Sequence, residues 1–241
     1  MSDLTFLLDP ITGGVLLEGP DRAPGDALAT VAALLGAESE LGCARPPAIL
    51  PPPAATLTEI AEATCVRVAG YYHHSLVEGP GRRSSVLLSG CALGCAGCWV
   101  PHLHDPAGGA LVLVDRLADA LLDPAYPRDG VSILGGEPFQ QPEGLLALVR
   151  ALRDRGCPHI LVYSGHTYEH LRRRAIRQPT IGLALDAIQM LIDGPYVARL
   201  AGEAGPWTGS GNQRVLTLVD GVPTPPLHTE GDRDTTRRPG S

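Results

Sequence analysis

Between Thr64 and Leu218 short apolar runs alternate with segments whose apolar residues recur every three or four positions. That alternation is the signature of βαβ units and a parallel sheet. Val66–Leu76 reads as extended and is followed by a turn at Glu78-Gly-Pro-Gly81. Ser85-Val-Leu-Leu-Ser89 is apolar enough to be a buried strand, and it delivers the chain directly into Cys91. Asp115–Leu122 has helical composition and stops before Asp123-Pro124. Val131-Ser-Ile-Leu134 predicts a second strand, ending at Gly135-Gly136-Glu137-Pro138. Over Glu143–Arg155, Leu145, Leu146, Leu148, Val149 and Leu152 fall on one side of a helix, and Gly156 stops it. Strands are expected at His159–Tyr163 and Ile188–Ile192, with a helix from Tyr168 to about Arg177 between them. Arg214–Leu218 is expected as the last strand.

Upstream the pattern differs. Leu4–Leu8 and Val15–Leu17 read as a strand pair around a turn at Asp9–Gly14, and Pro24–Leu35 as a helix with proline near its first turn and Gly36 after its end. Five prolines fall between Pro46 and Pro53, a composition that favours an extended linker. The expected organisation is a small α+β extension over 1–42, a proline-rich linker over 43–64, a main domain over 65–221, and a disordered tail over 222–241.

Charge and composition narrow the function classes. The net charge of −7 argues against a nucleic-acid binder, which needs a basic face. All 19 basic residues are arginines, so Schiff-base chemistry and a P-loop lysine are both excluded. No apolar run approaches the roughly 18 residues of a membrane span. The N-terminus lacks the basic and apolar regions of a secretory signal, so the expected location is cytoplasmic. In that compartment cysteines serve as metal ligands or free thiols rather than disulfides.

Three of the six cysteines lie within eight residues, as Cys91-x3-Cys95-x2-Cys98. Thiolates at this spacing suit zinc, copper(I) or an iron–sulfur cluster. A closed structural zinc site has four protein ligands, whereas a reactive centre keeps a position open. His102, four residues after Cys98, leaves a Cys3His zinc site open as an alternative. Cys43 and Cys65 stand outside any such spacing. The cysteine loop, Gly135–Pro138, Ser164–Thr167 and Asp193–Tyr196 each follow a predicted strand. In parallel sheets ligands bind at the carboxyl ends of the strands, so the four turns are expected to meet around one site.

Taken in order, these residues resemble the radical S-adenosylmethionine (SAM) superfamily. Within it they are most similar to the activating proteins of anaerobic ribonucleotide reductase and other glycyl-radical enzymes. The resemblance rests on the three cysteines, Val77-Glu-Gly-Pro-Gly81 with Arg82-Arg83, Ser89-Gly90, Gly97-Cys98-Trp99, Gly135-Gly-Glu-Pro138, Ile192-Asp-Gly194 and Trp207-Thr-Gly-Ser-Gly-Asn-Gln-Arg214. It covers roughly Tyr72 to Leu218. It implies an α/β fold with an incomplete parallel (β/α) barrel of radical SAM type, preceded by the small N-terminal extension.

The resemblance also implies that Cys91, Cys95 and Cys98 hold a [4Fe–4S] cluster whose fourth iron binds SAM. Reductive cleavage of SAM to a 5′-deoxyadenosyl radical would then act on a glycyl-radical enzyme, with a flavodoxin- or ferredoxin-type reductant. Gly135 and Gly136 are implied to let the backbone approach SAM, Glu137 to accept from its amino group, and Ser164 and Asp193 to contact it or to cap. Gly97 and Trp99 are implied to border the cofactor. Gly97 stands where many superfamily members carry an aromatic residue, a shift shared by the ribonucleotide reductase activators. The N-terminal extension, which is no part of the resemblance, leaves open a peptide or small molecule as the radical acceptor. A zinc-stabilised, non-catalytic interaction module is the reading from a different class.

Overall fold

Most of the predicted strands join one eight-stranded sheet. The computed structural model describes residues 5–8, 15–18, 48–53 and 64–224, and the chain divides into two compact units, 1–49 and 50–241. In the first, β1 (Thr5–Leu8) and β2 (Val15–Glu18) form the expected antiparallel pair, with Thr5 opposite Glu18 and Leu8 opposite Val15. The helix expected at Pro24–Leu35, parts of the linker and the tail beyond 224 lie outside the described residues.

The second unit contains β3 (Cys65–Ser75), β4 (Arg83–Leu88), β5 (Ala110–Leu113), α1 (Val114–Leu121), β6 (Gly130–Gly135), α2 (Pro142–Asp154) and β7 (Ile160–Ser164). There follow α3 (Tyr168–Ala175), α4 (Pro179–Ala187), β8 (Met190–Asp193), β9 (Arg214–Val219) and β10 (Val222–Pro223). Their order across the sheet is β10-β9-β8-β7-β6-β4-β3-β5. The expected parallel pairing holds for β4, β6, β7 and β8. Both flanks are antiparallel, so the sheet is mixed. The 76–82 connection is too short for a crossover and can only return the chain antiparallel. At the linker end, Leu50 bridges to Tyr71 of β3.

Three elements were not expected from the sequence: β5, α4 and β10, the last pairing with β9 at Val222–Pro223, where the disordered tail was expected to begin. β5 runs into α1 with no polar break. α4 buries Ile181, Ala184 and Leu185 and carries so few polar residues that no distinct apolar stripe marks it as a helix. Among the described residues, no helix is long and apolar enough to cross a membrane.

The helices cover one face of the sheet. Leu117 and Leu121 of α1, Leu145, Leu148 and Leu152 of α2, and Leu185 of α4 close over Val86, Leu88, Val131, Ile133, Val162 and Leu191. The strand period of two sends the intervening side chains to the opposite face. There Tyr72, Ser85, Ser132, Leu161, Met190 and Thr217 stand in register across six strands. Nearer the strand ends lies an apolar row: Leu87 beside Leu134, then Tyr163, Ile192 and Val215. Beneath both rows Arg83 is buried. Its guanidinium donates to Ser132 Oγ (3.0 Å), the Val131 carbonyl (2.7 Å) and the Pro80 carbonyl (3.4 Å), and its Nη1 lies 3.1 Å from His159 Nδ1. The arginine therefore ties the 76–82 loop to the entry ends of β6 and β7.

His73, buried on β3, gives the fold a pH dependence. Its Nδ1 lies 2.8 Å from Ser84 Oγ, and its ring stacks on Tyr126 at 4.0 Å. Burial, with the nearby positive charge of Arg128 and against the attraction of Asp123, pushes its pKa down to about 4. The unfolded chain therefore takes up a proton near pH 6.5 that the folded chain refuses until about pH 4, and stability falls as pH drops through that window. Urea unfolding of His73→Gln at pH 7 and pH 5 is expected to show a smaller loss on acidification than wild type. An unchanged loss would remove His73 as a cause.

Candidate metal centre and cofactor site

The cysteine loop is held at both ends by main-chain bonds. Gly90 N donates to the Leu103 carbonyl (2.8 Å) and Cys91 N to the His104 carbonyl (3.0 Å), while Cys98 N closes a turn on the Cys95 carbonyl (3.1 Å). Cys91, Cys95 and Cys98 are free and partly exposed. Burial raises the Cys91 pKa, and the negative charges of Glu137, Cys95 and Cys98 raise it further. Cations bound at the loop would relieve that repulsion on Cys91. Among the described residues no three His, Cys, Asp or Glu side chains are gathered closely enough to hold one metal ion, and His102 is exposed. Three thiols on one pinned loop, without a fourth protein ligand beside them, are a donor set that fits three irons of a cluster with one iron left open.

The Gly-Gly-Glu turn after β6 lies directly against this loop. Gly136 N donates to the Leu88 carbonyl and Glu137 N to the Gly90 carbonyl, each at 2.8 Å, which continues the β4–β6 ladder up to the cysteines. Gly135 has φ +109°, and a Cβ there would stand 2.5 Å from Leu88 backbone atoms; one on Gly136 would strike the Gly90 carbonyl. The two glycines thus let two backbones close on each other.

Glu137 is 1 % exposed, and both its carboxylate oxygens are engaged. Oε1 accepts from Phe139 N (3.0 Å), Oε2 from Gly165 N (2.8 Å), and Ser164 Oγ lies 3.1 Å from each. It thereby clamps the β6 turn to the β7 turn. Burial pushes its pKa up to about 7 against the pull of these hydrogen bonds and the charge of Arg174.

Asp193 is also fully buried and engaged on both oxygens. Oδ1 accepts from Arg214 Nε (2.9 Å), and Oδ2 from Arg214 Nη2 (2.5 Å) and from Tyr168 N at the start of α3 (2.6 Å). These bonds hold Arg214 and the first N–H of α3, whose N-cap is Thr167. Arg214 spans Asp193 and Glu169 and pulls the Glu169 pKa down to about 2. The Gly209–Arg214 segment braces the same turn, since Asn212 donates to the Pro195 carbonyl (2.7 Å) and Gln213 to the Gly194 carbonyl (3.0 Å).

Trp99 is 56 % exposed and donates through Nε1 to Tyr196 Oη (2.9 Å), so it joins the cysteine loop to the Asp193–Tyr196 turn. Gly97 lies against Ala198 on the same side, and Leu93 reaches over Gly165. All four predicted strand-end turns therefore meet. Sequence reasoning missed Gln140 and Gln141. Gln140 Oε1 accepts from Ala92 N in the cysteine loop (3.1 Å), and Gln141 Nε2 donates to the Ser89 and Arg67 carbonyls (2.9 and 3.1 Å). Their only signal was a polar pair before a helix, which reads equally as a cap.

Comparison with known proteins agrees with this geometry. Residues 77–216, more than half of the chain, match the 4Fe-4S single cluster domain. The anaerobic ribonucleoside-triphosphate reductase-activating protein of Escherichia coli K12 is 32 % identical over 157 residues, 61 % of this chain and 96 % of the relative. Its Salmonella typhimurium counterpart is 31 % identical over 160 residues, covering 64 % and 99 %. The pyruvate formate-lyase-activating enzyme of Clostridium pasteurianum is 34 % identical over 97 residues, covering 39 % and 41 %. The chain belongs to the 4Fe-4S single cluster domain family, among the activating enzymes of radical SAM type. Its cofactors are those of that class, a [4Fe–4S] cluster and SAM.

Proposed function

We propose that the protein reductively cleaves SAM and uses the resulting radical to take a hydrogen atom from a glycine of a partner glycyl-radical enzyme. One observation carries the reading: the main-chain ladder that joins the Gly135-Gly136-Glu137 turn to the exit of β4 immediately before Cys91. When bound, the reduced cluster and SAM supply an electron, scission of a carbon–sulfur bond and a carbon radical able to abstract hydrogen. The chain's own part is positional. Cys91, Cys95 and Cys98 hold three irons, Gln140 fixes the backbone between them, and Leu93 and Trp99 border the loop. The Glu137 clamp and the Asp193–Arg214 pair set the neighbouring strand ends, whose Gly165 and Gly194 backbones face the same rim. The helix-free face of the sheet serves as the inner wall of a partial (β/α) barrel in which the substrate segment lies. A flavodoxin- or ferredoxin-type protein is the expected electron donor. What the Escherichia coli and Clostridium relatives are named for, activation of a reductase and of a lyase, supports a large protein partner.

The test is anaerobic reconstitution followed by reduction in the presence of SAM. About four irons per chain are expected, with 5′-deoxyadenosine detected by mass spectrometry and a glycine-centred electron paramagnetic resonance signal after a glycyl-radical enzyme is added. A full cluster without 5′-deoxyadenosine would overturn the proposal.

A further inference from the structure

In a chain of net charge −7, four arginines fall within six positions: Arg172, Arg173, Arg174 and Arg177. They occupy α3 and the turn after it, where Arg177 N closes on the Arg174 carbonyl (3.0 Å). The acidic side chains of α3 and α4, Glu169 and Asp186, are already engaged, with Arg214 and Arg172. Arg174 donates to neutral groups, the Phe139 carbonyl (3.0 Å) and Gln178 Oε1 (3.5 Å). Among the described residues Arg173, Arg174 and Arg177 have no carboxylate at ion-pair distance, and Arg173 and Arg177 are exposed. Ile176, which lies between those two in the chain, is 83 % exposed, more than any other large apolar residue described. An apolar side chain set among like charges matches the apolar core and polar rim of protein interfaces. A local positive field is also where an acidic partner can approach an otherwise acidic chain.

The stripe begins at the cofactor rim. His166, in the turn after β7, stacks on His170 of α3 with ring centroids 4.7 Å apart and 9° between the planes, and the arginines continue from His170 at helical spacing. Gly165, the residue before His166, is the one over which Leu93 of the cysteine loop reaches. Phe139, whose carbonyl Arg174 holds, is followed by Gln140, which accepts from Ala92 N in the same loop (3.1 Å). Leu171 anchors α3 in the core on the helix-covered side of the sheet. The stripe therefore leads from the cysteine loop out along α3, on the side away from the helix-free face assigned to the substrate segment. A partner seated there reaches the cluster loop without displacing the substrate. The chemistry needs one such partner, since each SAM cleaved consumes an electron brought from outside.

We propose that the Arg173–Arg177 stripe, with Ile176 at its centre, is the docking surface for the electron donor, an acidic one-electron carrier protein. This rests on the reading of the protein as an enzyme whose bound cluster is reduced before SAM is cleaved. One electron passes per encounter: the carrier is oxidised by one and the cluster gains it, with no atom transferred. Small, charge-steered interfaces form fast and part readily, as a protein that shuttles electrons requires.

The probe is an acidic flavodoxin in its reduced form, offered to the reconstituted full chain, with dithionite as a parallel reductant that needs no docking surface. In the double variant Arg173→Glu/Arg177→Glu the flavodoxin Kd by calorimetric titration, and its KM in 5′-deoxyadenosine formation, are expected to rise about tenfold at low salt. Added salt should erase most of that difference. Product formed with dithionite should stay within about twofold of wild type, because both side chains are exposed and outside the site. Arg173→Lys/Arg177→Lys, which keeps the charge, is expected to hold Kd within about threefold of wild type. Arg150→Glu reverses an exposed charge on α2, outside the stripe, and should move Kd by less than about twofold. An unchanged Kd in the double reversal would overturn the proposal and leave the arginines to complement the α3 dipole. An equal loss in Arg150→Glu would overturn it too, since the attraction would then belong to the chain's charge as a whole. If dithionite yields no 5′-deoxyadenosine with wild type, the SAM-cleavage reading fails on its own. The titration, with the bleaching of the cluster's visible absorbance by reduced flavodoxin, still decides the docking surface: losses in the double reversal support it and unchanged values refute it.

Discussion

Serine at any one of positions 91, 95 or 98 is expected to abolish SAM cleavage, with 5′-deoxyadenosine falling by at least about two orders of magnitude and iron content dropping well below wild type. Serine retains the size of cysteine and loses the soft thiolate that iron requires. No neighbouring group is placed to substitute, because His102 is exposed and no further cluster of ligating side chains lies alongside among the described residues. The internal control is Cys157, a free thiol beside His159 that plays no part in the loop. Its serine variant should retain its iron. Iron analysis, the visible chromophore and product quantification, run on all four variants side by side, check the prediction. Equal iron loss in the Cys157 variant would mean that the cluster is held elsewhere.

Glu137→Gln is expected to have the second largest effect, although it changes only one atom. Both carboxylate oxygens accept main-chain N–H groups, from Phe139 on one side and Gly165 on the other. An amide in this position must point its NH2 at one of those donors, leaving two buried donors face to face. Such an unmade buried bond costs about 1–3 kcal/mol, which lowers the melting temperature by about 2–10 °C in a domain of this size. SAM cleavage should fall at least about tenfold, because the clamp between the β6 and β7 turns sets their spacing. Ser164→Ala removes a donor and leaves the carboxylate with both main-chain bonds, so its loss should be smaller on both measures. Thermal melts and single-turnover product yields of the two variants check this ordering. A Glu137→Gln protein as stable and active as wild type would show that the clamp is dispensable.

How far the sequence foretold this structure can be judged from particular residues. The strands β4, β6, β7 and β8 were legible because each carries a short, mostly apolar run that ends at turn residues, as burial on both faces demands, with Ser132 the one polar break inside β6. The cysteine spacing was legible because the three ligands are local. What escaped depends on distant partners. Asp193 could be placed at a strand end, but nothing near it in the chain reveals that Arg214 and the start of α3 will occupy both its oxygens. Gly135 and Gly136 were read toward a cofactor, whereas the atoms that exclude a Cβ belong to Leu88 and Gly90, more than forty residues earlier. The antiparallel flanks escaped because pairing direction is set by connection length and sheet position rather than by the strands' own composition. β3 and β9 look locally like any other strand.

The ladder from β4 and β6 into the cysteine loop also bears on how the protein survives oxygen. In small metal-organised domains the ordering entropy of the ligands falls due when metal arrives, and stripping the metal unfolds the chain. Here Gly90 and Cys91 are fixed by Leu103 and His104, and Glu137 by Gly90, through bonds that contain no iron. The scaffold for the cofactor is therefore a property of the sheet. A chain bleached by air is therefore expected to keep the backbone of the cradle in shape and to regain its cluster by reloading, without refolding.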